Sequence, residues 1–116
     1  LPKPIISNVY KDDKSNNIFI IGNVKNYNVK LQIQYDKQLL TSVTKCYCSC
    51  PSFKYEFMYA LYKFNGLCDK EADFFKKSLI IPKKKNIHII PNGCKHIVVF
   101  CQTIQKMERQ LKLKSL

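Results

Sequence analysis

Between residues 29 and 36, Val29, Leu31, Ile33 and Tyr35 alternate with Lys30, Gln32, Gln34 and Asp36. Successive side chains of a strand point to opposite faces, so this stretch predicts a half-buried strand. The run IFIIGNV at 18–24 is β-branched and aromatic and predicts a second strand, with Gly22 as a bulge or bend. LLTSVTKCYC at 39–48 predicts a third. KNYN at 25–28 and DKQ at 36–38 supply the turns. Consecutive strands with short connections favour an antiparallel meander. Residues 1–17 hold Pro2, Pro4 and the polar cluster Asp12 to Asn17, and read as an extended arm followed by a turn.

After Pro51 the period changes. Phe53, Phe57, Ala60, Leu61 and Phe64 recur at helical spacing, with Asn65-Gly66 as the stop. DKEADFFKK at 69–77 begins acidic and ends basic, as the helix dipole favours. Residues 79–93 carry Pro82, Pro91, three consecutive lysines and an apolar centre; they read as a loop with room for a short edge strand. Ile97, Phe100, Cys101, Ile104, Met107 and Leu111 then predict a long amphipathic helix over 95–112. The expected class is α+β: a small antiparallel meander of about three strands with two to three helices. Residues 1–17 form the arm, and 18–116 a single domain.

Composition narrows the function classes. The chain has 116 residues, 46% of them hydrophobic, enough for one small core. It contains no apolar run of 18 residues, so no membrane-spanning helix is expected. It starts at Leu1 rather than Met, as a processed chain or a piece of a longer one does, and its first residues lack a basic-then-apolar signal. The net charge is +12, which invites a polyanion. Yet Arg109 is the only arginine among 20 basic residues, and specific base and phosphate contacts favour arginine. Three glycines leave no Gly-rich phosphate loop, and no pair of carboxylates is placed for acid–base work. His88 has no evident orienting carboxylate. No enzyme activity and no small-molecule substrate are expected.

Cysteine spacing changes the picture most. Cys46, Cys48 and Cys50 stand at alternate positions, so an extended backbone sends all three thiols to one side. Far downstream lie Cys94 and His96. Cys48-Ser49-Cys50 ends a predicted strand and Cys94-Lys95-His96 starts a predicted helix. A thiolate–imidazole set of four suits a tetrahedral zinc ion. A helix N-terminus also lowers the pKa of a thiol placed there. Lys45 and Lys95 adjoin these residues in sequence and would offset the site's negative charge. Other readings stand beside this one. Cys46 is an alternative ligand, Cys101 lies on the apolar stripe of the last helix, and Cys68 reads as a loop or helix-start residue. Disulfides are the remaining option, although C-x-C neighbours pair poorly with each other.

The pattern Cys48-Ser49-Cys50, spacer, Cys94-Lys95-His96, flanked by CSCPSFKY and IVVF, resembles the SWIM-type zinc finger over roughly residues 30–105. The resemblance implies Zn2+ held by Cys48, Cys50, Cys94 and His96, with a small sheet delivering the first pair and a helix the second. The spacer, residues 51–93, is longer than usual. This long-spacer form resembles SWIM-type proteins of tailed phages and large DNA viruses, commonly classed as virion or structural proteins. The resemblance thus implies a non-enzymatic module contacting other proteins of a larger assembly, in a virion or the cytoplasm of an infected cell. The alternative is non-specific binding of DNA or RNA. Lys83, Lys84, Lys85, Lys106, Arg109, Tyr55 and Tyr59 are the candidate nucleic-acid or partner contacts. No membrane partner is expected.

Overall fold

The computed structural model describes the backbone of residues 2–36, 41–78 and 93–114, and side chains over 2–34, 44–78 and 93–107. Four strands form one sheet in the order β1 (Ile5–Asp12), β2 (Asn17–Val24), β3 (Tyr27–Asp36), β4 (Thr41–Cys48). All neighbours are antiparallel. The expected meander is present with one strand more than expected. The fourth comes from the N-terminal segment, which is extended as expected but is paired into the sheet as its edge strand. Its sequence hid this because only its core-side positions near Ile6 are covered; Val9 and Tyr10 are exposed. The alternation that betrays a half-buried strand is therefore missing.

The tight turns follow their residues. Lys25 adopts φ 63° in the turn that closes β2 onto β3 with Val24 opposite Tyr27, and Asn16 adopts φ 59° between β1 and β2. Asparagine tolerates that left-handed region better than most residues. Gly22 was expected at a bulge or bend. The irregularity instead lies in the partner strand, where the register shifts between Ile6 and Asn8. Gly22 makes a close approach possible: a Cβ there would lie 2.2 Å from the Ile5 carbonyl oxygen and 2.7 Å from the Phe100 ring.

Beyond Pro51 the chain makes a π-helical turn, Phe53–Phe57, that runs into α1 (Met58–Lys63). The Met58 N–H donates to the Phe53 carbonyl, five residues back. Phe53, Ala60 and Leu61 are buried as expected, but after this wider turn Met58 takes the place of the expected Phe57 and Phe64. Phe57 is half-buried and Phe64 is 62% exposed. Asn65-Gly66 ends α1 as expected. Asn65 has φ 61°, its N–H reaches the Tyr62 carbonyl, and the Gly66 N–H reaches that of Leu61 at 2.7 Å. Residues 66–68 then lie along the outer edge of β4. Cys46 donates to the Gly66 carbonyl, and the Cys46 carbonyl accepts from Cys68.

Two further helices complete the described chain: α2 (Asp69–Ser78) and α3 (Lys95–Lys114). The loop expected over 79–93 falls, up to residue 92, outside the described residues. Helix α3 crosses the sheet face bearing Val24, Val29, Leu31 and Cys48; Ile97 and Phe100 are buried there. Cys101 and Ile104 are half-buried and Met107 is exposed, while the Leu111 side chain lies outside the described residues. The opposite face was expected to meet solvent. Instead the start of α2 engages it through polar side chains. Lys30 donates to Glu71 at 2.7 Å, Gln32 donates to Asp69 at 2.8 Å and accepts the Asp69 N–H at 2.9 Å, and Lys45 donates to Asp69 at 2.7 Å. Among the described residues, no helix is long and apolar enough to cross a membrane.

Candidate metal centre

The end of β4 and the start of α3 meet on the core side of the sheet. Cys48 is the last residue of β4, opposite Val29, so pleat alternation aims its thiol at α3. Two hydrogen bonds then shape the segment to Cys50. Ser49 donates its N–H to the Asn28 carbonyl at 3.0 Å, and the Asn28 N–H reaches Ser49 Oγ at 2.9 Å. Cys50 is held by the turn C-terminal to it: its Sγ accepts the Phe53 N–H at 3.3 Å and its carbonyl accepts the Lys54 N–H. From the other side, Cys94 directly precedes α3. Its carbonyl accepts the Val98 N–H, and its thiol accepts from Ile97. His96 is in the first turn of α3 and is 4% exposed, with Tyr27 packed on its ring at a centroid distance of 4.9 Å.

These elements bring Cys48, Cys50, Cys94 and His96 together. One donor atom from each lies within 4.8 Å of all the others, and all four residues are buried. His96 Nδ1 is the nitrogen turned to the sulfurs, 3.7 Å from Cys94 Sγ and 3.9 Å from Cys48 Sγ. Donors arranged tetrahedrally about one cation, at thiolate and imidazole bond lengths of about 2.0–2.3 Å, stand about 3.6 Å apart. The observed spacing needs little adjustment to match. The cluster is thus placed to bind a metal ion.

Charge within the cluster is already polarised toward that role. The Cys94 thiol is held down to about 5. The Cys48 thiol donating to it is the chief cause; burial opposes, and the Ile97 N–H and His96 help. Cys48 is pushed up as the proton donor of the pair and by burial, and Cys50 is pushed up by burial. His96 Nε2 is buried with no hydrogen-bond partner among the described residues, and a buried polar atom without a partner is costly. A divalent cation would let all three sulfurs ionise and offset their charge.

The remaining cysteines separate from this set. Cys46 shares the face of Cys48 but stands outside the four-donor cluster; burial pushes its thiol up to about 12. Cys68 is buried at the start of α2, its thiol donating to the Lys30 carbonyl, and burial likewise pushes it up to about 12. Cys101 packs against the core, as its place on the helical stripe implied. All six are free thiols. Lys45, expected to offset the ligands' charge, is instead spent on Asp69 and Asn65. Strand alternation turns it away from Cys46 and Cys48. Lys95 is exposed beside the ligands in sequence.

Of the candidate contact residues, Tyr55 is 50% exposed, whereas Tyr59 is half-buried against Phe75. Lys106 is exposed on α3. Lys83, Lys84, Lys85 and His88, and the Arg109 side chain, lie outside the described residues. Sequence reasoning missed Ser49, Asn28 and Tyr27, which brace the site. None carries a ligand signature: Ser49 and Asn28 meet where β3 and the end of β4 adjoin, and Tyr27 meets His96 only when α3 packs on the sheet. Comparison with protein-family models, with curated proteins and with solved structures finds no match for this chain.

Proposed function

We propose that this chain is a non-enzymatic, zinc-stabilised structural or adaptor module of the SWIM type, a virion component that makes protein–protein contacts. One observation carries the reading: four buried donors, drawn from two distant chain segments, converge within 4.8 Å. Three thiols and an imidazole favour zinc over harder cations, which prefer oxygen. Four protein donors complete a tetrahedron and leave no position for substrate, which supports a structural ion over a catalytic one. When bound, the ion supplies a cross-link and charge neutralisation. The chain's own residues bury the donors, orient them and exclude water. Support for the virion, and for the host-cell cytoplasm as location, comes from the long-spacer resemblance. Exposed Tyr55, Phe64 and Phe74 support protein contacts.

The test is elemental analysis of the native protein together with fractionation of its source. About one zinc per chain, with the protein sedimenting in an assembly, is expected. Metal-free native protein would refute the zinc reading, and protein found only as free monomer would refute the assembly role.

The net charge of +12 favours a second reading, non-specific binding of DNA or RNA. Lys76, Lys77, Lys95 and Lys106 are exposed and available for it. Titration with a single-stranded oligonucleotide across a salt series separates the two. Affinity that falls steeply with salt supports nucleic-acid binding, and no binding at about 50 mM salt removes it.

A further inference from the structure

Tyr47 and Ser49 are interleaved with the metal-binding cysteines. Cys48 points to α3, so alternation sends Tyr47 to the opposite face of β4. There half-buried Tyr47 and, at the exposed end of the strand, Ser49 line a cleft of about 470 Å3 between the π-helical turn, α1 and α2. Its interior is apolar, with Met58 and Phe75 as walls. Its mouth carries Lys54, Lys70 and Phe74, and Phe74 is 74% exposed. An aromatic ring left so exposed beside an apolar cleft is the profile of an interface anchor.

The charge at the mouth identifies the occupant. Glu71, the one carboxylate lining the cleft, is committed to Lys30 in a half-buried ion pair. Lys54 and Lys70 have no carboxylate partner among the described residues. What remains is an apolar trough beside two ammonium groups without carboxylate partners, Lys54 lying over the Tyr55 ring, on a molecule of net charge +12. Such a field steers acidic partners and opposes a second copy of the same chain.

We propose that this cleft is a docking groove for an acidic segment of a partner protein, which inserts one aromatic or aliphatic side chain between Met58 and Phe75 and places carboxylates against Lys54 and Lys70. The volume suits one large side chain with part of its neighbour, within the size range of ligand pockets. The inference rests on the adaptor reading and deepens it: an ion that holds Cys48 and Cys50 on one face would fix Tyr47 and Ser49, which line the groove, on the other.

The experiment uses the full zinc-loaded chain, 15N-labelled, with two synthetic glutamate-rich nonapeptides, one with a central phenylalanine and one with a central serine. The phenylalanine peptide is expected to bind with a Kd of roughly 10–100 μM at low salt and to shift Tyr47, Met58 and Phe74. The serine peptide, and Phe74→Ala or Lys70→Glu with the phenylalanine peptide, should each weaken binding about tenfold. Both variants are at exposed positions, and their unchanged spectra would show that the fold survives. Equal affinity for the two peptides, shifts scattered over lysines elsewhere, or no shifts at about 1 mM peptide would overturn the groove. No binding with zinc present at full occupancy defeats the groove and leaves the zinc module standing. Undiminished binding to metal-stripped protein keeps the groove and defeats its dependence on the ion.

Discussion

At the scale of single residues, two positions show how closely the sheet and its helices are fitted. Gly22 lies under Phe100 and beside the Ile5 carbonyl, and neither has room to retreat: the carbonyl is backbone, and Phe100 is fully buried. Gly22→Ala is expected to destabilise by about 1–3 kcal/mol, the usual range for overpacking. A urea denaturation curve measures it, and an unchanged midpoint would show that α3 does not press on β2. Gln32 is the second such position. It is buried, and its amide both donates to the Asp69 carboxylate and accepts the Asp69 N–H at the first residue of α2. Gln32→Ala leaves the Asp69 N–H without that acceptor and should cost about 1–3 kcal/mol. Faster amide exchange confined to α2 would distinguish this from general loosening. The sequence offered no hint of Gln32's role, because a glutamine on the polar side of an alternating strand is ordinarily a solvent residue.

At the scale of elements, α2 is fastened to the sheet largely by polar contacts, and this makes its docking depend on pH. Asp69 is held below the usual carboxylate range, first by Lys45, which donates to it, and then by Gln32. A carboxyl whose folded pKa is depressed stabilises the fold above its unfolded value, near 3.9, and loses that contribution as pH falls through the folded value. Stability against urea should therefore be flat in this term above about pH 5 and fall below about pH 4. Asp69→Asn should show a shallower acid decline than the parent chain. Equal slopes would mean that Lys45 and Gln32 do not hold the carboxylate in solution. Because Asp69 is largely exposed, solvent screening keeps the effect modest. Element types were legible wherever one face is apolar and the other polar, as in β3 and α3. The strand β1 was not, since most of its positions are exposed on both faces. Around α1, Phe53, Ala60 and Leu61 were legible but Met58 was not, because a π-helical turn inserts a five-residue step into a sequence read at the usual period.

For the whole molecule, the Cys48, Cys50, Cys94 and His96 cluster spans the junction of the sheet and α3, so loss of an ion bound there should be felt across the fold. In small zinc-dependent domains metal binding supplies on the order of 10 kcal/mol of folding free energy, comparable with the total stability of an ordinary domain. Chelation of the zinc-loaded protein should collapse its near-UV circular dichroism and unfold α3 from the sheet, and re-addition of zinc should restore both. Cys94→Ser should behave as the chelated protein does, since Cys94 is one of the four converging donors. Cys101→Ser, on the same helix but outside the cluster, should keep its metal. An unchanged melting curve after verified metal removal would leave the ion without a structural role.

The sequence by itself determined the four candidate donors and the class of fold. Both are written in local patterns: cysteines two apart, a thiol two before a histidine at a helix start, and apolar residues repeating at two or near 3.6. Only the tertiary structure decided that the first dozen residues complete the sheet, and that Gln32 and Lys45 face a helix instead of water. It alone also set a cleft behind the strand that carries Cys48. Each of these depends on which surfaces meet across long stretches of chain, and a residue carries no mark of the neighbour that folding will bring to it.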